Sequence, residues 1–365
     1  MWGRIGSLLI KEILVLLKDP RGRYVLIVPP LLQLFIFAFA ATLDVKNVPI
    51  GILNRDNGEK SIELVERFWG AQPFTKVTFL QSVSEIADFI DTQKGVMVLS
   101  IDEQFSRDID AKKPATVQLI FDGRKSNSAQ IVAGYSAQIL NQFSEDITPE
   151  VVPARLFTRN WYNPNLLYYW YNVPSLVAVL TMALGLIVTS LSVAREREMG
   201  TFDQLLVSPV SPLEIMLGKM LPAVIIAISE ATVIVLVAIF IFNIPFVGHL
   251  WLLYSGLIVF VFSIVGVGLF ISSLCSTQQQ AILGTFCFLS PSVLLSGFAT
   301  PIENMPLWLQ HVTAINPLRY ILVIARGQFL KGQAVDIVFS NIWPMALIAL
   351  FTLTASTWLF RRKIV

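Results

Sequence analysis

Six blocks of the sequence, at residues 24–43, 171–194, 220–242, 251–274, 281–298 and 342–360, are overwhelmingly apolar. Several run for about 20 residues without a charge, the length at which a helix rising about 1.5 Å per residue crosses a hydrocarbon layer about 30 Å thick. That feature excludes an ordinary soluble fold, and it accounts for a chain that is 55% hydrophobic and only 14% charged. The expected fold is a polytopic α-helical membrane protein with six transmembrane helices and an inserted extracytoplasmic α/β domain. The first block is too long for a cleavable leader and lacks a small-residue cleavage site, so it is expected to remain as an anchor.

Orientation follows from the basic residues beside short connections, because Lys and Arg resist translocation. Arg4, Lys11, Lys18, Arg21 and Arg23 precede the first block, Arg195, Arg197 and Lys219 follow the second, and Arg361, Arg362 and Lys363 follow the last. With six spans these all fall on one side, so both termini are expected in the cytoplasm. The opposite side receives 243–250, without Lys or Arg, and 300–341, with only Arg319, Arg326 and Lys331. Trp161, Tyr162, Tyr168, Tyr169, Trp170 and Tyr171 read as an interfacial belt where the chain returns to the membrane.

The net charge of +2 does not point to nucleic acid, and no nucleic-acid partner is expected. Two cysteines and two histidines stand apart, so neither a disulfide framework nor a metal site is expected.

Residues 44–165 hold roughly half of all the charges and read as one soluble domain. Strand-like runs at 48–53, 77–80, 96–101 and 116–121 alternate with helical spacing at 61–69, 82–94, 105–109 and 126–143. Ser82 and Glu85 have the spacing of a capping box. The alternation implies an α/β layer domain with about four strands. It contains no His and no Gly-rich phosphate loop, and no catalytic residue is expected. Its carboxylates read as a solvated face, with docking or substrate handling as the functional alternative.

Residues 1–23 place Trp2, Ile5, Leu8, Leu9, Ile13, Leu16 and Leu17 at helical spacing, as expected of an amphipathic helix in the cytoplasmic interface. Pro20 and Gly22 are expected to break that helix before the first span. In the connection 195–219, Gly200 is a natural stop after a charged helix end, and Ser211, Pro212 and Glu214 offer an N-cap, a first-turn proline and a capping-box acid. The result would be a helical elbow outside the bilayer, either a surface for a soluble partner to push on or a tight loop with charged ends.

The pattern from Arg195-Glu196-Arg197-Glu198 through Gly200-Thr201, Gln204-Leu205-Leu206 and Ser208-Pro209 to Glu214 and Gly218-Lys219 resembles the hallmark loop of ABC type-2 exporter permeases, the membrane subunits of ATP-binding cassette exporters. The stretches Lys11-Glu12 and Lys18-Asp19-Pro20 resemble that family's connecting helix. Trp161 to Pro164 with Pro174 resemble its approach to the second span, and Pro301, Pro306 to Gln310 and Asn316 to Tyr320 its outer re-entrant region. The likeness covers nearly the whole chain and points to the bacterial branch with a large domain between the first two spans. It implies an inner-membrane protein contacting the ATP-binding subunit through Glu196, Glu198, Gly200, Thr201, Gln204, Leu205 and Leu206. The departure is Gln204, where some relatives carry an acid. No Gly-x-x-x-x-Gly-Lys-[Ser/Thr] loop is present, so this chain is expected to bind no cofactor and to be no enzyme, with ATP and magnesium on the partner subunit. The implied partners are two such subunits, a second permease copy or paralogue, the lipid bilayer and, as a further candidate, a periplasmic adaptor.

Glu230 lies near the middle of the third block, where a charge costs about 2.5–3.5 kcal/mol on insertion scales for comparable residues. It reads either as a cation, proton or cargo contact or as a protonated carboxyl bonded to a neighbouring helix. Gly266, Gly268, Ser272 and Ser276 suit close helix packing. The region 300–341, with Pro306, Trp308, Asn316, Pro317 and Tyr320, reads as an outer gate dipping into the bilayer or as a surface-lying amphipathic helix. The expected function is the permease of an exporter for hydrophobic or amphipathic substrates of drug or lipid class. A proton-coupled transporter using Glu230 and a sensor with an outer ligand domain are the alternatives.

Overall fold

The computed structural model describes residues 2–18, 20–39, 48–74, 76–147, 162–163, 167–201 and 211–362. Trp161, Pro164, Gln204, Leu205, Leu206 and Lys363 lie outside the described residues. The chain divides into two compact units, one formed by Met1–Ala41 with Asn160–Val365 and the other by Thr42–Arg159.

The second unit is a four-stranded sheet in the order β2-β1-β3-β4, with β1 at Pro49–Asn54, β2 at Lys76–Phe79, β3 at Met97–Ile101 and β4 at Val117–Phe121. β1 is parallel to both neighbours, with Ile50 opposite Val77 and Ile52 opposite Leu99, and β4 is antiparallel to β3. The helices are α3 (Glu59–Trp69), α4 (Ser84–Asp91), α5 (Phe105–Asp110) and α6 (Ser126–Ile147). Alternation along the strands sorts them. Ile50, Ile52, Met97, Leu99 and Ile101 join a core with Leu64, Phe68, Phe105, Val132 and Phe143, while Leu53 and Val98 join Phe89 of α4. Phe89 fits because Gly95 has no side chain, since a Cβ there would lie 2.2 Å from its ring. The Ser82–Glu85 pair departs from the expected box. Ser82 Oγ donates to Glu85 Oε1 at 3.0 Å, and the helix starts later, at Ser84.

The first unit is helical. α1 (Trp2–Lys18) precedes α2 (Pro20–Phe39), so Pro20 opens the second helix and Gly22 lies inside it rather than in a break. Proline is tolerated there because a first-turn N–H has no helical partner. There follow α7 (Tyr168–Glu198), α8 (Pro212–Phe240), α9 (Leu250–Leu274), α10 (Gln278–Leu294), α11 (Leu307–Val312), α12 (Pro317–Leu330) and α13 (Val335–Arg362). Among the described residues four helices are long and apolar enough to cross a membrane: α7, Glu214–Phe240 of α8, α9 and Val335–Phe360 of α13. α13 begins seven residues before the expected sixth span and so takes in the end of the region 300–341. α10 ends at Leu294, four residues before the expected limit, in turns stabilised by the Ser296 hydroxyl accepting from Phe298 N–H.

Small residues set the spacing between the long helices. A Cβ on Gly268 would lie 1.8 Å from Thr189 Oγ1 of α7, and one on Gly266 would lie 2.4 Å from Thr352 Oγ1 of α13. Ser272 accepts from the Val193 and Ala194 N–H groups, both at 3.1 Å. These contacts hold α9 between its neighbours by van der Waals packing and hydrogen bonds, the forces that remain where lipid is as apolar as leucine.

Candidate coupling site

The charged end of α7 organises four other segments. Successive residues of a helix point about 100° apart, so Glu196, Arg197 and Glu198 reach different neighbours. Arg197 donates to the carbonyls of Ser273 at 2.9 Å and Cys275 at 3.2 Å, at the C-terminus of α9. Glu198 Oε2 accepts the Gln278 N–H at 2.7 Å, at the N-terminus of α10. Each charge meets the helix end whose partial charge it complements and satisfies a backbone group without a helical partner.

Glu196 turns the other way. It is buried, at 7% exposure, with Oε2 2.9 Å from Lys219 Nζ of α8 and Oε1 3.2 Å from Lys11 Nζ of α1. Lys219, 5% exposed, also reaches Glu12 Oε1 at 3.2 Å and the Ser192 carbonyl at 3.3 Å. Two cations and two anions thus join α1, α7 and α8. The helices meet closely because residue 218 is glycine, and a Cβ there would lie 2.7 Å from Leu8 Cβ.

α7 stops at Gly200, whose φ of +69° is in the left-handed region that glycine enters without a Cβ penalty. Gly200 N–H donates to the Arg197 carbonyl at 3.1 Å and Thr201 N–H to the Glu196 carbonyl at 3.0 Å, the two bonds of a Schellman cap. Met199, Gly200 and Thr201 are exposed, Met199 at 66%. Where description resumes, Ser211 Oγ accepts from Glu214 N–H at 3.3 Å and Glu214 Oε2 accepts from Ser211 N–H at 2.9 Å, so α8 begins with a full capping box and Pro212 in its first turn.

Of the expected contact residues, the structure brings Glu196, Glu198, Gly200 and Thr201 to one helix end, while Gln204, Leu205 and Leu206 lie outside the described residues. Glu196 faces inward and Glu198 is spent on α10. Sequence reasoning missed the pairing of Lys219 with Glu12 and Glu196, and the exposed tip residue Met199. Lys11 and Lys219 were visible as orientation charges, and Lys11-Glu12 and Gly218-Lys219 as parts of the family resemblance, but nothing in the sequence paired them.

Glu230 sits on α8 between buried Ala231 and exposed Ser229. Both carboxyl oxygens are buried with no hydrogen-bond partner among the described residues. The protonated-carboxyl reading therefore finds no hydrogen-bond acceptor on a neighbouring helix among the described residues.

In the region 300–341 Asn316 caps α12, accepting from Leu318 N–H at 3.1 Å and donating to the Ser292 carbonyl of α10 at 2.6 Å, with Pro317 next in the first turn. Tyr320 donates to the Ala314 carbonyl at 2.9 Å. α12 buries Leu318, Ile321, Leu322, Ala325 and Phe329, so it is embedded in the helical unit and not surface-lying. Arg326 donates to Ser175 Oγ at 2.7 Å and lies 3.9 Å from the Tyr171 ring. Pro306 precedes α11, where Trp308 is 67% exposed, and Arg319 of α12 donates to the Gln310 carbonyl of α11 at 3.3 Å.

Comparison with known proteins bears on the family. Residues 23–358 match the family model described as ABC-2 family transporter protein. The chain is 48% identical over 367 residues, covering all of both chains, to "Probable multidrug ABC transporter permease YbhR" of Escherichia coli (strain K12). It is 31% identical over 354 residues to "Probable multidrug ABC transporter permease YbhS" of the same organism, covering 93% of this chain and 92% of that one. It is 26% identical over 363 residues to "Inner membrane transport permease YhhJ", also of that organism, covering 94% and 92%. A family match over residues 23–358 and 48% identity over the full length of a relative establish that this chain belongs to the ABC-2 family of transporter proteins.

Proposed function

We propose that this permease subunit exports a hydrophobic or amphipathic substrate, of drug or lipid class, from the cytoplasm or inner leaflet, driven by ATP hydrolysed on two separate subunits docked beneath the 195–219 connection. The observation that carries the reading is the exposed Met199-Gly200-Thr201 tip, held by a Schellman cap on a helix end braced against α1, α8, α9 and α10. A partner pressing on that tip meets a rigid lever, and ATP shifts the permease only through different affinities for its two states. ATP and magnesium belong to the partner, and a second permease copy or paralogue completes the path. The names of the two YbhR and YbhS relatives support a drug-class substrate. A periplasmic adaptor fits the same direction of transport.

Six spans follow if α2 and α10 cross as well. Their 20 and 17 residues fall within the range of about 17–25 that spans a bilayer. Both termini are then cytoplasmic and the soluble unit extracytoplasmic, in a multi-pass inner-membrane protein. Exposed Lys94 of the soluble unit tests this. With Cys275 and Cys287 replaced by serine, a Lys94→Cys variant is expected to react with an impermeant maleimide added outside intact inner-membrane vesicles of periplasmic-face-out orientation. Reaction only from the cytoplasmic face would overturn the topology.

Glu230 is the polar contact for cargo in this reading, supported by its unpartnered carboxyl. A lost charge-assisted hydrogen bond costs about 1.5–3 kcal/mol, so Glu230→Gln is expected to weaken the half-maximal concentration of a cationic amphiphile in cargo-stimulated ATPase by about tenfold or more. Basal ATPase and folded yield should hold. Unchanged stimulation with a lowered melting temperature would assign Glu230 to structure.

A further inference from the structure

The soluble unit holds a cavity of about 980 Å³ between α5, β4 and the second half of α6. We infer that it binds a small amphipathic anion, an alkyl chain ending in a carboxylate or phosphate. Its base is apolar. Phe105 and Phe143 stack at 6.1 Å and are nearly buried, while Ile109, Val117, Leu140 and Ile147 remain half-exposed along the walls. Side chains of this kind at the base of a concavity of several hundred Å³ are what a drug-sized ligand covers.

The charges around the cavity favour an anion. The ionisable lining is Lys60, Lys112, Lys113 and Asp110. Lys60 is paired with Glu63 at 3.3 Å, whereas Lys112 and Lys113 are exposed and make no ion pair among the described residues. Asn141 and Ser144 add hydrogen-bonding groups on α6. Lys112 closes α5 with φ at +56°, a left-handed conformation that glycine would adopt with less strain, yet the position carries a cation. Two exposed ammonium groups beside apolar side chains match a headgroup with two or more acceptor oxygens and a tail that leaves water. The inference rests on the soluble unit alone, so it stands or falls separately from the transport reading.

The test is photolabelling of the full chain in phosphatidylcholine nanodiscs with a decanoate bearing a terminal diazirine, followed by peptide mapping. Labelling is expected in the peptides containing residues 105–117 and 140–147. Decyl phosphate should compete with it, and decyltrimethylammonium should not. Lengthening the competing alkyl phosphate should strengthen competition about three- to fourfold per methylene until the cavity fills. The Lys112→Glu/Lys113→Glu variant should lower this labelling about tenfold, while labelling of the apolar helices by the same probe stays constant. Lys112→Gly removes one charge and relieves the backbone, so it should weaken labelling with melting temperature unchanged or raised. Equal competition by the ammonium or by inorganic phosphate, labelling indifferent to the substitutions, or no label in these peptides would each overturn the inference.

Discussion

Lys219→Met is expected to free α1 from α7 and α8. The substitution preserves much of the apolar stem but leaves Glu12 without its ion pair and buried Glu196 with only half-exposed Lys11. Breaking a buried ion pair from one side costs about 3–5 kcal/mol, because an uncompensated charge is left behind. The readouts are the yield of monodisperse protein and protease cleavage within residues 2–18, which should fall and rise respectively. The triple variant Glu12→Gln/Glu196→Gln/Lys219→Met removes the stranded charges and should recover most of the yield. A single variant as stable as the parent would mean that apolar contacts such as Leu8 against Gly218 hold α1 unaided.

Gly268→Val is expected to prevent assembly of the helical unit. Its Cβ would fall 1.8 Å from Thr189 Oγ1, 2.8 Å from Thr189 Cβ and 3.3 Å from the Leu186 carbonyl, and a backbone atom of a packed helix cannot swing aside. Overpacking costs about 1–3 kcal/mol where side chains yield, and the cost here should be at the upper end or above it. Thr189→Ala in the same chain should rescue only in part, since a Cβ remains. The control is Gly134→Ala on α6, where an added Cβ meets nothing within 4 Å and helix propensity should add about 1 kcal/mol. Normal yield from Gly268→Val would show that α7 and α9 separate easily.

Much of the sheet-containing unit was legible because its signals are local. Strand alternation and helical spacing within ten residues located each of the four strands, but the sheet order and the reversal of β4 depend on pairings that no local period encodes. The same limit appears in the caps. Ser211, Pro212 and Glu214 act as their spacing predicts, whereas Ser82 and Glu85 have the right spacing but a hydroxyl that donates to the carboxylate. Span limits drifted by several residues, since α13 and α7 continue beyond the apolar stretch into polar residues that helix hydrogen bonding still accommodates. At the charged end of α7, Gly200 as a stop was readable from the chain. The Lys219 cluster was not, because its partners lie 207 and 23 residues away and no local period links them.

The central claim is that a separate ATP-binding subunit grips the α7–α8 connection. The most direct measurement is co-purification of the solubilised full chain from its native membrane, with ATPase activity assayed on the complex and on its Gly200→Val variant. Valine is strained at the φ of +69° that the cap requires, so the tip should lose its shape while the six apolar blocks still insert. The account predicts a stoichiometric ATPase partner with the parent chain, and with the variant either its loss or ATP turnover that cargo no longer stimulates. A chain that purifies without an ATPase and transports cargo on a proton gradient, or a variant that couples as well as the parent, would contradict it.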